Sequence, residues 1–226
     1  MKAIIRDVLL DAAGLLLPTA CAGCGAPGRS LCDRCRLGLV PDVLSRVLAD
    51  GTRVWSGLAY DGVARRAILA LKEQGRTGLA AYLAPALAAA AQAAGAPGST
   101  LVDAVWCPIP PSAAARRRRG YDPLRLVLRH ARLDAVDLLR PGRAAGTQKG
   151  LARAERSANR RGAFSRGDGG AGLPVILVDD VVTTGSTLVE AARVLRADGI
   201  EVLGAIVIAA TPLRYGRPAT LPENRL

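Results

Sequence analysis

Aromatic residues are scarce: the 226-residue chain has one Phe, two Trp and four Tyr. Strands of β-sandwiches draw on aromatic and β-branched side chains, so this poverty argues against such a fold. The hydrophobic half of the composition is mostly Ala, Leu and Val, a mix suited to helices packed on a parallel sheet. The only histidine, His130, stands beside Arg129 on an expected helix and is assigned no role. No Gly-x4-Gly-Lys-Ser/Thr segment occurs, which excludes a Walker-type nucleotide loop. No run reaches the roughly eighteen unbroken apolar residues of a membrane span. The stretch from Val8 to Leu17 is interrupted by Asp11, and Pro18 stands where a lipoprotein signal ahead of Cys21 would want a branched aliphatic. Residues 3–16 therefore read as a short amphipathic helix, and the protein as soluble and cytoplasmic.

What the chain does have is positive charge in one place. Of the net +12, the stretch 111–170 carries +10, from 15 basic and 5 acidic residues. Such a block implies polyanionic partners: phosphates, pyrophosphate or nucleic acid.

Periodicity then divides the chain. Arg53 to Tyr60 reads as a strand, Val63 to Gln74 as a helix ending at Gly75, and Leu79 to Ala94 as a second helix with Pro85 as a kink or fresh start. Gly95 to Thr100 is a linker and Leu101 to Cys107 a buried strand. Asp122-Pro123 has the form of an N-cap and first helical residue, opening a helix to about Leu133, and Ala135 to Leu139 is a further candidate strand. Pro141 to Gly172 is basic, Gly-rich and aperiodic, so a loop is expected there. Strand Val175–Val178, helix Thr187–Ala197 and strand Val202–Ala209 complete an alternation that predicts an α/β parallel sheet flanked by helices. Two units are expected: 1–50, an N-terminal helix and cysteine knuckle, and 51–226, the α/β domain.

Cys21-x2-Cys24 and Cys32-x2-Cys35 are two thiol pairs separated by seven residues. Four thiolates on two tight knuckles can surround one tetrahedral Zn²⁺, and with no open coordination position that zinc would be structural. Two disulfides are the alternative, disfavoured in a reducing cytosol. Cys107, alone in a strand pattern, reads as a small buried hydrophobe.

The most informative segment is Val175 to Thr187. A continuous apolar run ends in Asp179-Asp180, at the strand end where open α/β sheets bind ligands. Vicinal carboxylates can each accept a hydrogen bond from a ribose hydroxyl. Thr183, Thr184, Gly185, Ser186 and Thr187 follow, a hydroxyl-rich glycine turn leading into a helix whose free amides attract phosphate. Strand, diacid, turn and helix together describe a cradle for a sugar 5-phosphate.

This segment resembles the hydrophobic-Asp-Asp-x-x-x-Thr-Gly motif of the type I phosphoribosyltransferases. Other features resemble one branch of that fold, the competence-associated ComF family. They are the four cysteines, Leu71-Lys72-Glu73-Gln74-Gly75, Pro108-Ile109-Pro110, Arg119-Gly120-Tyr121, and Gln148, Arg156 and Asn159 ahead of the diacid loop. Order and spacing agree from about residue 9 to 210. The chain departs from the family in having Asp122-Pro123 after the aromatic, where Asn-Gln is common, and Thr147 directly before Gln148.

The resemblance implies Mg²⁺-phosphoribosyl diphosphate as ligand, with Asp179 and Asp180 on the ribose and Thr183 to Thr187 on the 5-phosphate. Pro110 to Gly120 would be the pyrophosphate loop, with Arg118, Arg119 and Gly120 as contacts. Arg156 and Lys149 would reach the anion from a closing loop at 142–172. The chemistry would be transfer of the phosphoribosyl group, in the setting of DNA uptake or processing. Single-stranded DNA and proteins of an uptake system are the implied partners, and the oligomeric state is left open. Two rivals stand beside it: a DNA-binding adaptor with a sensing or vestigial phosphoribosyl site, favoured by the basic block, and a nucleobase salvage enzyme.

Overall fold

A computed structural model describes residues 20–95, 104–142, 162–167 and 172–212. The expected helix at 3–16, most of the linker after Gly95, and Gln148, Lys149, Arg156 and Asn159 lie outside the described residues.

A five-stranded sheet runs in the order β1-β2-β7-β6-β3. Its strands are β1 (Leu44–Val47), β2 (Arg53–Ala59), β3 (Val105–Pro108), β6 (Val175–Val182) and β7 (Val202–Ala210). β2, β7, β6 and β3 are mutually parallel, and only the edge strand β1 pairs antiparallel, with β2. A separate antiparallel ribbon joins β4 (Leu139–Pro141) to β5 (Phe164–Arg166). The mixed α/β class expected from the alternating pattern is the one observed.

Each sheet face has its own core. On one lie α2 (Gly62–Glu73), α3 (Ala80–Ala94) and α5 (Pro123–Ala131). The α2 stripe is Ala64, Ala67, Ile68 and Leu71, the i, i+3, i+4, i+7 spacing of a single helical face. The cysteine segment, including α1 (Asp33–Leu37), packs on this side through Leu31, Cys35 and Leu39. On the other face α6 (Ser186–Ala197) buries Leu188, Ala191, Ala192 and Leu195 against Val175, Leu177, Ala205 and Val207.

The scarcity of large side chains has a structural use where α3 crosses β2. A Cβ built on Gly57 would stand 2.0 Å from the carbonyl oxygen of Ala86, so helix and strand backbones meet with no side chain between them. Pro85 does not restart the helix; it sits inside α3. Thr77–Ala94 is the one helical stretch among the described residues long and apolar enough to cross a membrane, and half of it is buried within the fold.

Several expectations change. The segment Pro110 to Gly120, anticipated as a loop, contains α4 (Ala113–Arg119), capped by Ser112, whose Oγ accepts from Ala115 N at 3.2 Å. Ala and Arg are strong helix formers, and this short-range preference prevails over the loop reading. Strand β6 runs on to Val182, four residues past the expected end, and so carries the two aspartates within it. Between 135 and 139 only Ala135 bridges to Trp106, and the strand proper begins at Leu139.

The Gly57–Ala86 approach makes a simple prediction. Gly57→Ala forces strand and helix apart and should lower unfolding free energy by about 1–3 kcal/mol, the usual range for overpacking. Chemical denaturation of the two proteins measures it; equal midpoints would contradict the packing described.

Candidate functional site

β3 and β6 end at the same edge of the sheet, and a cavity of about 290 Å³ opens there. Asp179 and Asp180 line it from β6, Lys72 from α2, Arg119 from α4 and Thr187 from α6. Sequence positions more than one hundred residues apart thus meet because parallel strands deliver their C-terminal ends to one side.

Asp179 and Asp180 are half-buried, and Asp180 N donates to Asp179 Oδ1 at 2.8 Å. After Val182 the chain turns through exposed Thr183 and Thr184 to Gly185, which N-caps α6 with φ +81. That left-handed conformation disfavours any residue with a Cβ. Space disfavours it as well, since a Cβ there would lie 2.5 Å from Leu48 Cδ2. The glycine is therefore favoured by its own φ and by the Leu48 side chain, which follows β1. Thr184 and Ser186 hydroxyls face each other at 3.0 Å across the turn.

The counter-charges come from α2 and α4. Lys72 Nζ pairs with Asp180 Oδ2 at 2.8 Å, both side chains largely shielded. Burial works against the ammonium, but Asp180 and then Asp179 outweigh it and hold the Lys72 pKa above its ordinary 10.5. Next to Lys72, Glu73 receives Arg118 Nη2 at 2.8 Å and Arg119 Nη2 at 2.6 Å on its two oxygens. The Arg119 bond, partly opposed by burial, holds the Glu73 carboxyl below its usual range. Arg119 is the well-shielded member of the arginine run, with side-chain exposure of 13% against 65% for Arg118, and its Nε is buried without a partner among the described residues. Of the four consecutive arginines, only Arg119 lines the cavity. Gly120 closes α4 with φ +72, and Tyr121 OH donates to the Leu71 carbonyl. The Asp122-Pro123 pair has a local duty: Asp122 Oδ1 accepts from Leu124 N and Arg125 N and starts α5.

Two participants were invisible in the sequence. Glu73 lies within a quoted motif, but nothing local pairs it with Arg118 and Arg119, 45 and 46 residues on. Arg46, from the edge strand β1, donates through Nη2 to the Thr183 carbonyl at 2.7 Å.

The second cluster is the cysteines. The Sγ atoms of Cys21, Cys24, Cys32 and Cys35 all lie within 4.8 Å of one another, and Cys32 Sγ is 3.7 Å from both Cys21 Sγ and Cys24 Sγ. None is in a disulfide. A tetrahedral zinc with bonds of about 2.3 Å spaces its sulfurs about 3.8 Å apart, so the donor set fits. Cys21 Sγ also accepts from Gly23 N and Cys32 N, each at 3.3 Å. Burial pushes the Cys21 thiol up, but these amides overcome it and hold the pKa at about 6. Burial and the neighbouring thiols push Cys35 up to about 12. Four thiolates this close require a cation to ionise together.

The family described as phosphoribosyl transferase domain matches residues 136–223, which span β4 to β7, the diacid turn and α6. The chain thus carries a phosphoribosyltransferase-type domain on a parallel α/β sheet, with a four-cysteine cluster near its N-terminal end. Among solved structures, orotate phosphoribosyltransferase from Aeropyrum pernix is similar at 21% identity, over 77% of this chain and 76% of that one, with a TM-score of 0.31. No curated protein matches.

The Lys72–Asp180 pair yields a stability test. Lys72→Met should cost about 1.5–3 kcal/mol at neutral pH, the range for a charge-assisted hydrogen bond. Because the folded pKa of Lys72 is raised, its contribution is full below 10.5 and fades as pH rises through the folded value. Denaturation curves of both proteins between pH 7 and 11 should converge only at the alkaline end.

Proposed function

We propose that the chain is a ComF-type phosphoribosyltransferase that binds Mg²⁺-phosphoribosyl diphosphate and acts in DNA uptake or nucleic-acid processing in the cytoplasm. One observation carries the reading: a vicinal diacid, Thr187 in the first turn of α6 and two shielded cations line one cavity, and the hydroxyl-rich glycine turn comes just before Thr187 in the chain. Asp179 and Asp180 accept from the ribose hydroxyls, and Thr183 to Thr187 surround the 5-phosphate. Arg119 and Lys72 meet the diphosphate, with Arg118 and Gly120 shaping that side and Arg156 contributing from the 143–161 segment. A nitrogen acceptor attacks C1 of the ribose as the C1–O bond to pyrophosphate breaks, and the leaving oxygen takes the bonding electrons. The protein's part is positioning and charge neutralisation. Mg²⁺ bound with the ligand would offset diphosphate charge, and the carboxylates beside it suit a hard cation.

The exposed Arg116, Arg117 and Arg118 on α4 and Arg129 and Arg132 around the end of α5 support the second reading, an adaptor that binds single-stranded DNA. Calorimetric titration of Mg²⁺-phosphoribosyl diphosphate, with and without single-stranded DNA, separates them. Saturable ligand binding with release of pyrophosphate on adding a nitrogen acceptor favours the transferase, binding without release favours a sensing adaptor, and DNA binding alone favours an adaptor with a vestigial site. Turnover of free nucleobases would instead point to salvage.

For the cysteines the proposal is one structural zinc per chain. Elemental analysis should find about one equivalent in wild type and much less in Cys24→Ser, and zinc content unaffected by that substitution would remove the claim.

Asp179→Asn and Asp180→Asn should each weaken phosphoribosyl-diphosphate binding about ten- to a hundredfold, as expected for loss of a charged hydrogen bond of roughly 1.5–3 kcal/mol. Circular dichroism should report an intact fold. If the diacid merely supports the following helix, melting temperature will fall while affinity in the folded fraction stays put.

A further inference from the structure

We infer that Arg46, on edge strand β1, is a positioning residue for phosphate binding, because it sets the direction in which the Thr183–Thr184 peptide faces. The inference rests on the function proposed above and adds to it a strand that the diacid motif does not contain. Arg46 Nη2 donates to Thr183 O at 2.7 Å, and Nη1 reaches Thr211 O, just past β7, at 3.4 Å. The guanidinium therefore ties the turn to the neighbouring strand end. In a trans peptide the C=O and N–H point in opposite directions. Holding the Thr183 carbonyl toward Arg46 turns the Thr184 N–H away from it, on the other side of the turn. Neither Thr184 N nor Gly185 N has a protein acceptor among the described residues. These are the donors that a tetrahedral oxyanion ahead of α6 would use.

A second contact from the same hairpin points the same way. Leu48, two residues after Arg46, fills the space against which Gly185 presents no side chain, and a Cβ there would come within 2.5 Å of Leu48 Cδ2. The β1–β2 turn is in turn fastened to the far end of α6, with Arg196 Nη1 on Asp50 Oδ2 at 2.7 Å and Nη2 on Thr52 Oγ1 at 3.0 Å. The hairpin so supports the turn from beneath and the helix from behind. Arg46 Nε is buried without a partner among the described residues, and burial lowers the pKa of the group. A charge kept in place against desolvation, with both of its bonds on carbonyls just past the ends of β6 and β7, is a device for orienting peptides. Its charge also lies behind the amide that donates, which strengthens that donor.

The test compares ribose 5-phosphate and inorganic pyrophosphate as calorimetric probes of wild type, Arg46→Gln and Arg46→Lys. Ribose 5-phosphate affinity should fall about tenfold in Arg46→Gln, the scale of one charged hydrogen bond, and less in Arg46→Lys, which keeps the positive charge. Pyrophosphate affinity should not change. Equal ribose 5-phosphate affinity in wild type and Arg46→Gln, or equal loss for both probes, overturns the inference. In wild type alone, the Thr184 amide proton should move downfield in the NMR spectrum on adding ribose 5-phosphate. A stationary Thr184 resonance in a protein that binds the probe overturns it as well, whether or not the variants fold. A wild-type protein that binds neither probe removes the proposed function itself, a result distinct from either.

Discussion

Two adjacent carboxylates at the end of an apolar strand are the constraint around which this molecule is arranged. β6 is fully buried from Val175 to Val178, and then Asp179 and Asp180 follow half-buried, side by side. Like charges in partial burial raise one another's energy unless opposite charge is near. Lys72 supplies it at 2.8 Å from Asp180, and the apolar stripe of α2 explains how Lys72 arrives. With Ile68 and Leu71 buried, the next residue in the last turn is directed along the edge of the core toward the strand end. Glu73 then answers Lys72 and binds Arg118 and Arg119, so charge alternates outward from the diacid. The resting rim is close to balanced.

The sheet must hold its strand ends still for this to work, and its composition does so by closeness of approach more than by bulk. Gly57 lets the Ala86 carbonyl come against β2, and α3 lines that contact with alanines. Dispersion and apolar burial gain from such backbone-level contact without large side chains. The paucity of aromatics is thus compatible with two well-filled cores.

Legibility in the sequence followed the range of the interaction. The diacid turn was readable because strand, turn chemistry and helix start are consecutive in the chain. Asp122 was readable as a cap because it bonds Leu124 N and Arg125 N, two and three residues on. The helix Ala113–Arg119 is signalled locally by its Ser112 cap and Ala-Arg content, although the resemblance implies an anion-binding loop there. Glu73 and Arg46 could not be read at all. Their partners lie 45 and 137 residues away, and no local pattern of charge distinguishes them from solvated surface. The edge strand β1 was missed for a related reason: its four residues show no clear alternation and are mostly exposed.

The cysteine cluster and the cavity lie apart in sequence, yet one helix links them. Gly23, within the cluster, and Gly38, just after it, lie so near Val63 at the start of α2 that a Cβ on either would come within 3.2 Å of its side chain. Beyond the other end of α2, Arg76 Nη2 donates to the carbonyls of Ala20 at 2.6 Å and Ser30 at 2.9 Å. The knuckle therefore touches both ends of the helix that carries Lys72 and Glu73. A metal that stiffens four cysteines also stiffens these contacts, because Ala20 and Ser30 each lie within two residues of a cluster cysteine. The cluster is then more than an appendage: it braces the helix whose last turn neutralises the diacid, and its loss should be felt at Lys72 before it is felt in the parallel sheet.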